Sequence, residues 1–232
     1  MNRLHLVFGI LLAGFFSSCQ KEKVTLESLL NEQTDRSALA YFPENGYQLK
    51  QFSSYDRNSV SPDSLGWWAN ADYTQFIREE QNEGRREFVL LDADGPGAVV
   101  RWWMTFSGPD AYSGTMRVYI DGNKTPEIEG DILDILSGTK LAVEPLASSV
   151  SPLTERGHRG HNLYLPIPYA KNCKITYECD AVKIEPNKRV PSIYYNICYR
   201  GYDKNVEVES FSKEVLKRAE PVIKQTAEIL LS

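Results

Sequence analysis

Six short runs dominate the middle of the chain: Phe88 to Leu91, Ala98 to Phe106, Thr115 to Ile120, Leu163 to Leu165, Lys174 to Cys179 and Ile193 to Tyr199. Each is rich in Val, Ile, Tyr or Trp and is bounded by Gly, Pro, Asp or Asn. Extended runs of this length satisfy their backbone only by pairing with one another, and turn residues at every boundary favour antiparallel neighbours. The pattern predicts an all-β fold, a single jelly-roll or β-sandwich domain. At about 200 residues such a body fits one core.

The run Thr115 to Ile120 carries the most detail. Met116, Val118 and Ile120 alternate with Thr115, Arg117 and Tyr119, so one face is expected in the core and the other against water or a ligand. Asp121-Gly122 follows and supplies the positive φ of a tight turn. Beyond Pro126 comes a short segment crowded with Glu127, Glu129, Asp131 and Asp134. In Arg101-Trp102-Trp103 the two indoles must point to opposite sides of their strand, one into the core and one outward, where it serves as a sugar platform or a subunit contact. The stretches from Tyr55 to Glu87 and from Gly138 to Gly160 are too polar for core strands and are expected as long surface loops.

Two helices flank the strands. Leu26, Leu29 and Leu30 fall at helical spacing between Thr25, a natural N-cap, and about Ala40. From Ser210 the period changes again: Val215, Leu216, Ala219, Val222, Ile223, Ile229 and Leu230 form a stripe, with Ser212 as N-cap and Pro221 marking a kink or the start of a second piece. The apolar ending Ile229-Leu230-Leu231-Ser232 suits a linker helix whose packing partner lies further on.

The first residues set the compartment. Arg3 precedes an apolar run from Leu4 to Phe16, too short to span a bilayer and typical of a signal peptide. It ends in Phe16-Ser17-Ser18-Cys19, similar to the loose lipobox of Bacteroidetes lipoproteins, which makes Cys19 the expected lipidation site and Gln20 to Lys23 a polar tether; the alternative is an ordinary secretory signal in which Cys19 is incidental. The organisation expected is then a signal peptide over 1–18, tether and short helix over 19–40, the β domain over 41–205 and a C-terminal linker helix over 206–232. The protein is expected to be exported and lipid-anchored in the periplasm or at the outer membrane or cell surface, its only contact with a membrane being that anchor. The net charge of −5 argues against nucleic acid as a partner, and loss of Arg3 makes the exported chain more acidic still.

Beyond Cys19 three cysteines remain, Cys173, Cys179 and Cys198. The first two share a strand and lie too far apart to bridge; Cys179 and Cys198 are left either as a cross-strand disulfide or as small buried hydrophobes. His158 and His161 sit in a glycine-flanked loop without carboxylate or thiol ligands at metal spacing, so neither a metal nor a cofactor is expected.

The chemistry-bearing residues gather in one loop: Ser54, Tyr55, Asp56 and Arg57, then Trp67, Trp68, Asn70 and Asp72. Aromatic faces that stack on sugar rings, beside acids, amides and guanidinium groups that bind hydroxyls, make this the candidate carbohydrate-binding region. The alternative reading of the same residues is structural, with Trp67 and Trp68 plugging a sandwich end and Asp56–Arg57 as an ion pair. Hydrolysis of a glycosidic bond needs two carboxyl groups facing one gap, about 5 to 5.5 Å apart for retention and wider for inversion. The density of acids around Glu127 to Asp134 does not by itself provide that geometry. No nucleophile elbow, Walker loop or dinucleotide fingerprint occurs.

Five ordered motifs resemble glycoside hydrolase family 172, long catalogued as a domain of unknown function and abundant in gut Bacteroidetes. They are Ser53-Ser54-Tyr55-Asp56-Arg57, Gly95-Pro96-Gly97-Ala98-Val99-Val100-Arg101-Trp102, Val118-Tyr119-Ile120-Asp121-Gly122 with Pro126, Asn162 to Lys171, and Tyr194-Tyr195-Asn196-Ile197. The resemblance runs from about Phe52 to Tyr202. It implies tandem jelly rolls, assembly as trimers or their multiples, and retaining action on furanosides such as α-D-fructofuranosides and α-D-arabinofuranosides. In that family both catalytic Glu residues come from the second roll, in Trp-Trp-Gly-Glu-Gly and Gly-Thr-Glu-Asp-Tyr segments around a second Tyr-Ile-Asp-Gly turn. This sequence has one such turn, preceded by Asp110-Ala111-Tyr112-Ser113-Gly114 and followed by Glu129-Gly130-Asp131. The resemblance therefore implies the first roll, with no catalytic residue carried over and a downstream catalytic half as expected partner. The alternative expectation is a surface lipoprotein that binds glycans without cleaving them.

Overall fold

A computed structural model describes residues 22–65, 68–185 and 188–232; Cys19 and Trp67 lie outside them. Two antiparallel sheets form a β-sandwich. One contains β1 (Tyr47–Ser53), β13 (Ser192–Tyr202), β4 (Gly97–Ser107), β8 (Gly160–Leu163) and β7 (Ala147–Val150) in that order, with β9 (Ile167–Tyr169) also paired to β4. The other runs β2 (Arg78–Asn82), β3 (Arg85–Asp94), β10 (Asn172–Glu178), β5 (Thr115–Ile120), β6 (Ile128–Asp131). A small hairpin, β11 (Lys183–Glu185) with β12 (Lys188–Val190), stands apart.

Period-two alternation fills the space between the sheets. Phe88, Leu91, Met116, Val118, Ile175 and Tyr177 from one sheet are buried with Trp102, Met104, Phe106, Ile193, Tyr195 and Ile197 of the other. Burying each such large side chain contributes about 2 kcal/mol. A bulge where the β3–β10 register shifts between Ile175 and Thr176 lets both Leu90 and Leu91 into the core. Gly97 is where β4 crosses Tyr169: a Cβ there would press on the tyrosine ring and lie 2.7 Å from the Arg200 carbonyl oxygen.

Helix α1 (Leu26–Thr34) starts at Thr25, whose hydroxyl accepts the Ser28 amide at 3.0 Å while the Ser28 hydroxyl receives the Thr25 amide, a reciprocal cap. Helix α3 (Lys213–Leu231) starts at Ser212 and passes through Pro221 as one helix. Val215, Ala219, Ile223 and Ala227, four residues apart, are buried in the main core, and α3 packs against α1. The stripe finds most of its cover within the chain, while Ile229, Leu230 and Leu231 at the end of the helix are exposed. Helix α2 (Ile132–Ser137) plugs the space between β6 and β7 with four buried aliphatic residues.

Both stretches expected as loops contain an edge strand. β2 pairs with β3 across Glu83-Gly84, both at positive φ, the two-residue turn that matches strand twist. β7 pairs with β8 inside the stretch from Gly138 to Gly160. The outer face of β5 also departs from expectation: Arg117 and Tyr119 meet neither water nor an open groove but are buried. They close over Glu87, itself fully buried, whose carboxylate accepts from Tyr119 Oη at 3.0 Å, Thr176 Oγ1 at 2.7 Å and Arg85 Nε at 3.0 Å. Arg117 in turn holds Glu129 and Glu178 at 2.7 and 2.6 Å.

No disulfide joins Cys179 to Cys198. All three described cysteines are free, Cys173 and Cys179 buried toward the core from β10 and its end, and Cys198 half-buried on β13 of the opposite sheet with its thiol 3.1 Å from Asn196 Oδ1.

Candidate functional site

The connection after Ser53 crosses from the six-stranded sheet to β2, and hydrogen bonds to carboxylates and carbonyls fold it. Ser54 is buried and exchanges two bonds of 3.1 Å with the Tyr195 backbone, its hydroxyl accepting the amide. Asp56 is buried as well: Oδ1 accepts the Asn58 amide and side chain, both at 3.0 Å, and Oδ2 accepts the Ala71 amide at 3.0 Å. Those amides hold its carboxyl below the usual carboxylate range. Asp72 Oδ1 takes the Asp56 amide at 2.8 Å. Thr74 and Phe76 finish the crossing. Thr74 bonds the Ile193 amide, and the ring of Phe76 stacks on Phe88 at 4.7 Å.

Arg57 does not pair with Asp56 among the described residues, so the ion pair of the structural alternative is not formed. Its guanidinium donates to the carbonyls of Tyr55, Ser53 and Gln75 and lies 3.9 Å from the centre of the Tyr55 ring, a cation–π contact. The candidate set therefore divides. Ser54, Asp56 and Asp72 are occupied in holding the loop, whereas Tyr55 (52% exposed), Trp68 (61% exposed) and Asn70 are exposed, with half-buried Arg57 against Tyr55.

This rim borders a surface that sequence reasoning reached only through Trp103. Ser53 registers with Asn196, and Asn196 with Trp103, which pairs on its other side with Asn162. Trp102 is in the core; Trp103 is half-buried on the outer face, an indole between two amides. Arg101 Nη1 donates to Asn196 Oδ1 at 3.2 Å, and Asn196 Nδ2 to Gln51 Oε1 at 3.0 Å. Tyr73 from the loop meets Tyr194 of β13 with ring centres 6.0 Å apart. Asn162 and Asn196 belong to motifs visible in the sequence, but only strand register reveals that they flank one ring.

Three of the acids after Pro126 have other tasks. Glu129 is bound to Arg117, Asp131 caps α2 by accepting the amides of Leu133 and Asp134 at 2.9 and 3.0 Å, and Asp134 meets Arg156 at 3.2 Å. Nor do the two histidines converge. His161 is fully buried with Nδ1 2.6 Å from Ser137 Oγ, and burial pushes its pKa down to about 4. His158 is at the surface, edge-on to Tyr112.

The family model described as GH172 first beta-sandwich domain matches residues 45–219, from just before β1 into α3. No curated protein matches the chain.

Proposed function

Because the chain belongs to glycoside hydrolase family 172, as its first β-sandwich domain, we propose that it is the non-catalytic half of a retaining furanoside hydrolase acting on fructofuranosides or arabinofuranosides. The observation that carries this reading is the use of its carboxylates. Asp56, Glu87, Glu129, Asp131 and Asp134 each hold a loop, a helix end or a guanidinium group. A retaining pair instead faces one open gap. A second sandwich bearing the two glutamates would supply the chemistry, and the protein would be exported with Cys19 lipidated. The test is an assay on aryl α-fructofuranosides and α-arabinofuranosides with and without the second sandwich: no turnover by the chain alone, turnover with the partner. Hydrolysis by the chain alone sinks the proposal.

A second reading, glycan binding without cleavage, is favoured by two exposed rings of the same loop, Tyr55 with Arg57 against it and Trp68. It expects measurable heat on titration with fructans or arabinans, and a titration without heat removes it.

A further inference from the structure

A run of bare apolar side chains lies before β1, at the opposite end of that strand from the candidate loop, in the strap between α1 and β1. Leu39 is 86% exposed, Tyr41 78% and Phe42 100%. A soluble surface rarely presents three such residues within four positions unless something covers them. The strap holds them out by defined bonds. Asp35 caps the 3-10 turn Arg36–Ala40 by accepting the Ser37 amide at 2.9 Å, and the Tyr41 amide closes it on the Ala38 carbonyl at 3.3 Å. Asn45 Nδ2 then donates to the Glu22 carbonyl at 2.6 Å, which ties the returning strap to the incoming chain. Glu22 is three residues after Cys19, at most about 11 Å of extended backbone. The bare side chains are therefore held close to where a lipidated cysteine would enter a bilayer.

We propose that Leu39, Tyr41 and Phe42 form a wedge that enters the interfacial layer of the bilayer in which Cys19 is anchored, fixing how the sandwich stands on the membrane. The inference rests on the anchor proposed above. A leucine and two aromatic rings suit the boundary between headgroups and acyl chains, where tyrosine keeps its hydroxyl wet. A tether this short gives the wedge a millimolar-scale effective concentration at the surface, so weak insertion is enough. Arg36 and Lys23 accompany Glu22 and Glu44 in this region; the signs are mixed, so insertion needs no anionic lipid.

The test uses the full chain, lipidated in a bacterial host and reconstituted into phosphatidylcholine vesicles whose acyl chains carry bromine near the headgroup. Phe42→Trp is compared with Leu153→Trp, another fully exposed position, beyond β7 and so toward the opposite end of β4. After subtraction of the parent chain's emission, Trp at 42 should lose about half its fluorescence while Trp at 153 is unchanged. Equal quenching at both positions, or none at 42, overturns the wedge. A mass spectrum without an acyl adduct on Cys19 overturns the anchor, and the wedge with it; an adduct with an unquenched Trp at 42 overturns the wedge alone. A Leu39→Ser, Phe42→Ser double variant should leave the mass in detergent unchanged; a fall in oligomer mass would assign the patch to a second copy instead.

Discussion

Asp121 Oδ1 accepts the Lys171 amide at 2.7 Å, so the turn after β5 is bonded to the turn before β10. The same carboxylate takes the Asn172 amide at 3.3 Å and the hydroxyl of Ser210, which itself receives the Ala170 amide at 2.9 Å. Replacing Asp121 by Ala should cost about 2 to 3 kcal/mol, since bonds to a charged group are the stronger kind. Urea unfolding of the two proteins measures this; a loss below half a kilocalorie would show the network to be dispensable.

Glu87 is the second carboxylate whose loss should be severe. Glu87→Ala leaves Arg85 and the Tyr119 and Thr176 hydroxyls facing a void, at a cost of about 3 kcal/mol; Glu87→Gln, which keeps the shape, should cost less. Burial by itself raises the Glu87 pKa, but the bonds from Thr176, Arg85 and Tyr119 together lower it below 4.5. Its contribution is thus complete above the unfolded value and is lost as pH falls through the folded one. The alanine variant should show a flatter acid limb in a pH series of thermal melts.

His161 gives stability a second pH dependence. Its folded pKa of about 4 lies below the unfolded 6.5, because burial disfavours the charged ring and Arg156 and Arg159 add repulsion. The unfolded chain binds the extra proton between those values, so stability is full above pH 6.5 and falls by about 3 kcal/mol on the way to pH 4. Urea midpoints at several pH values test the slope. In His161→Gln the slope should shrink by this amount whatever the variant's absolute stability.

Tyr55 and Trp68 carry the glycan-binding reading. Alanine at either position should abolish or weaken by roughly tenfold any affinity for fructans or arabinans, the loss of one stacked ring, with the melting temperature unchanged within about a degree. Calorimetric titration with differential scanning fluorimetry separates the outcomes: affinity equal to the parent's rules the rings out as a platform.

The central strands and both helix starts were legible because burial imposes a period on them. Thr25 and Ser212 cap where the spacing predicts, and Trp102 and Trp103 divide between core and surface as alternation requires. Of the strands outside the six runs, β1, β2, β6 and β7 lie at sheet edges, where one partner suffices and solvent takes one or both faces, and β9, β11 and β12 are three residues long, too short to show a period. Arg78-Glu79-Glu80-Gln81-Asn82 has no apolar period at all, and only Glu83-Gly84 beside it signals a hairpin. The closing of Arg117 and Tyr119 over Glu87 depends on β3 lying two strands away from β5, across β10, and local spacing does not contain that information. The loop site was half legible: residue types pointed to it, but only the hydrogen bonds show that Ser54, Asp56 and Asp72 hold the loop while Tyr55 and Trp68 are displayed.

Val24 forms a parallel bridge with Val208, bonded on both sides through Glu207 and Glu209, while Lys23 meets Glu207 at 2.8 Å and Glu27 meets Arg218 at 2.8 Å. A pull on the backbone ahead of Glu22 therefore meets two ties at once, this clasp beside the helix pair and the Asn45 bond that leads into β1. Load on that backbone is divided between the helix pair and the edge strand β1 rather than falling on either alone.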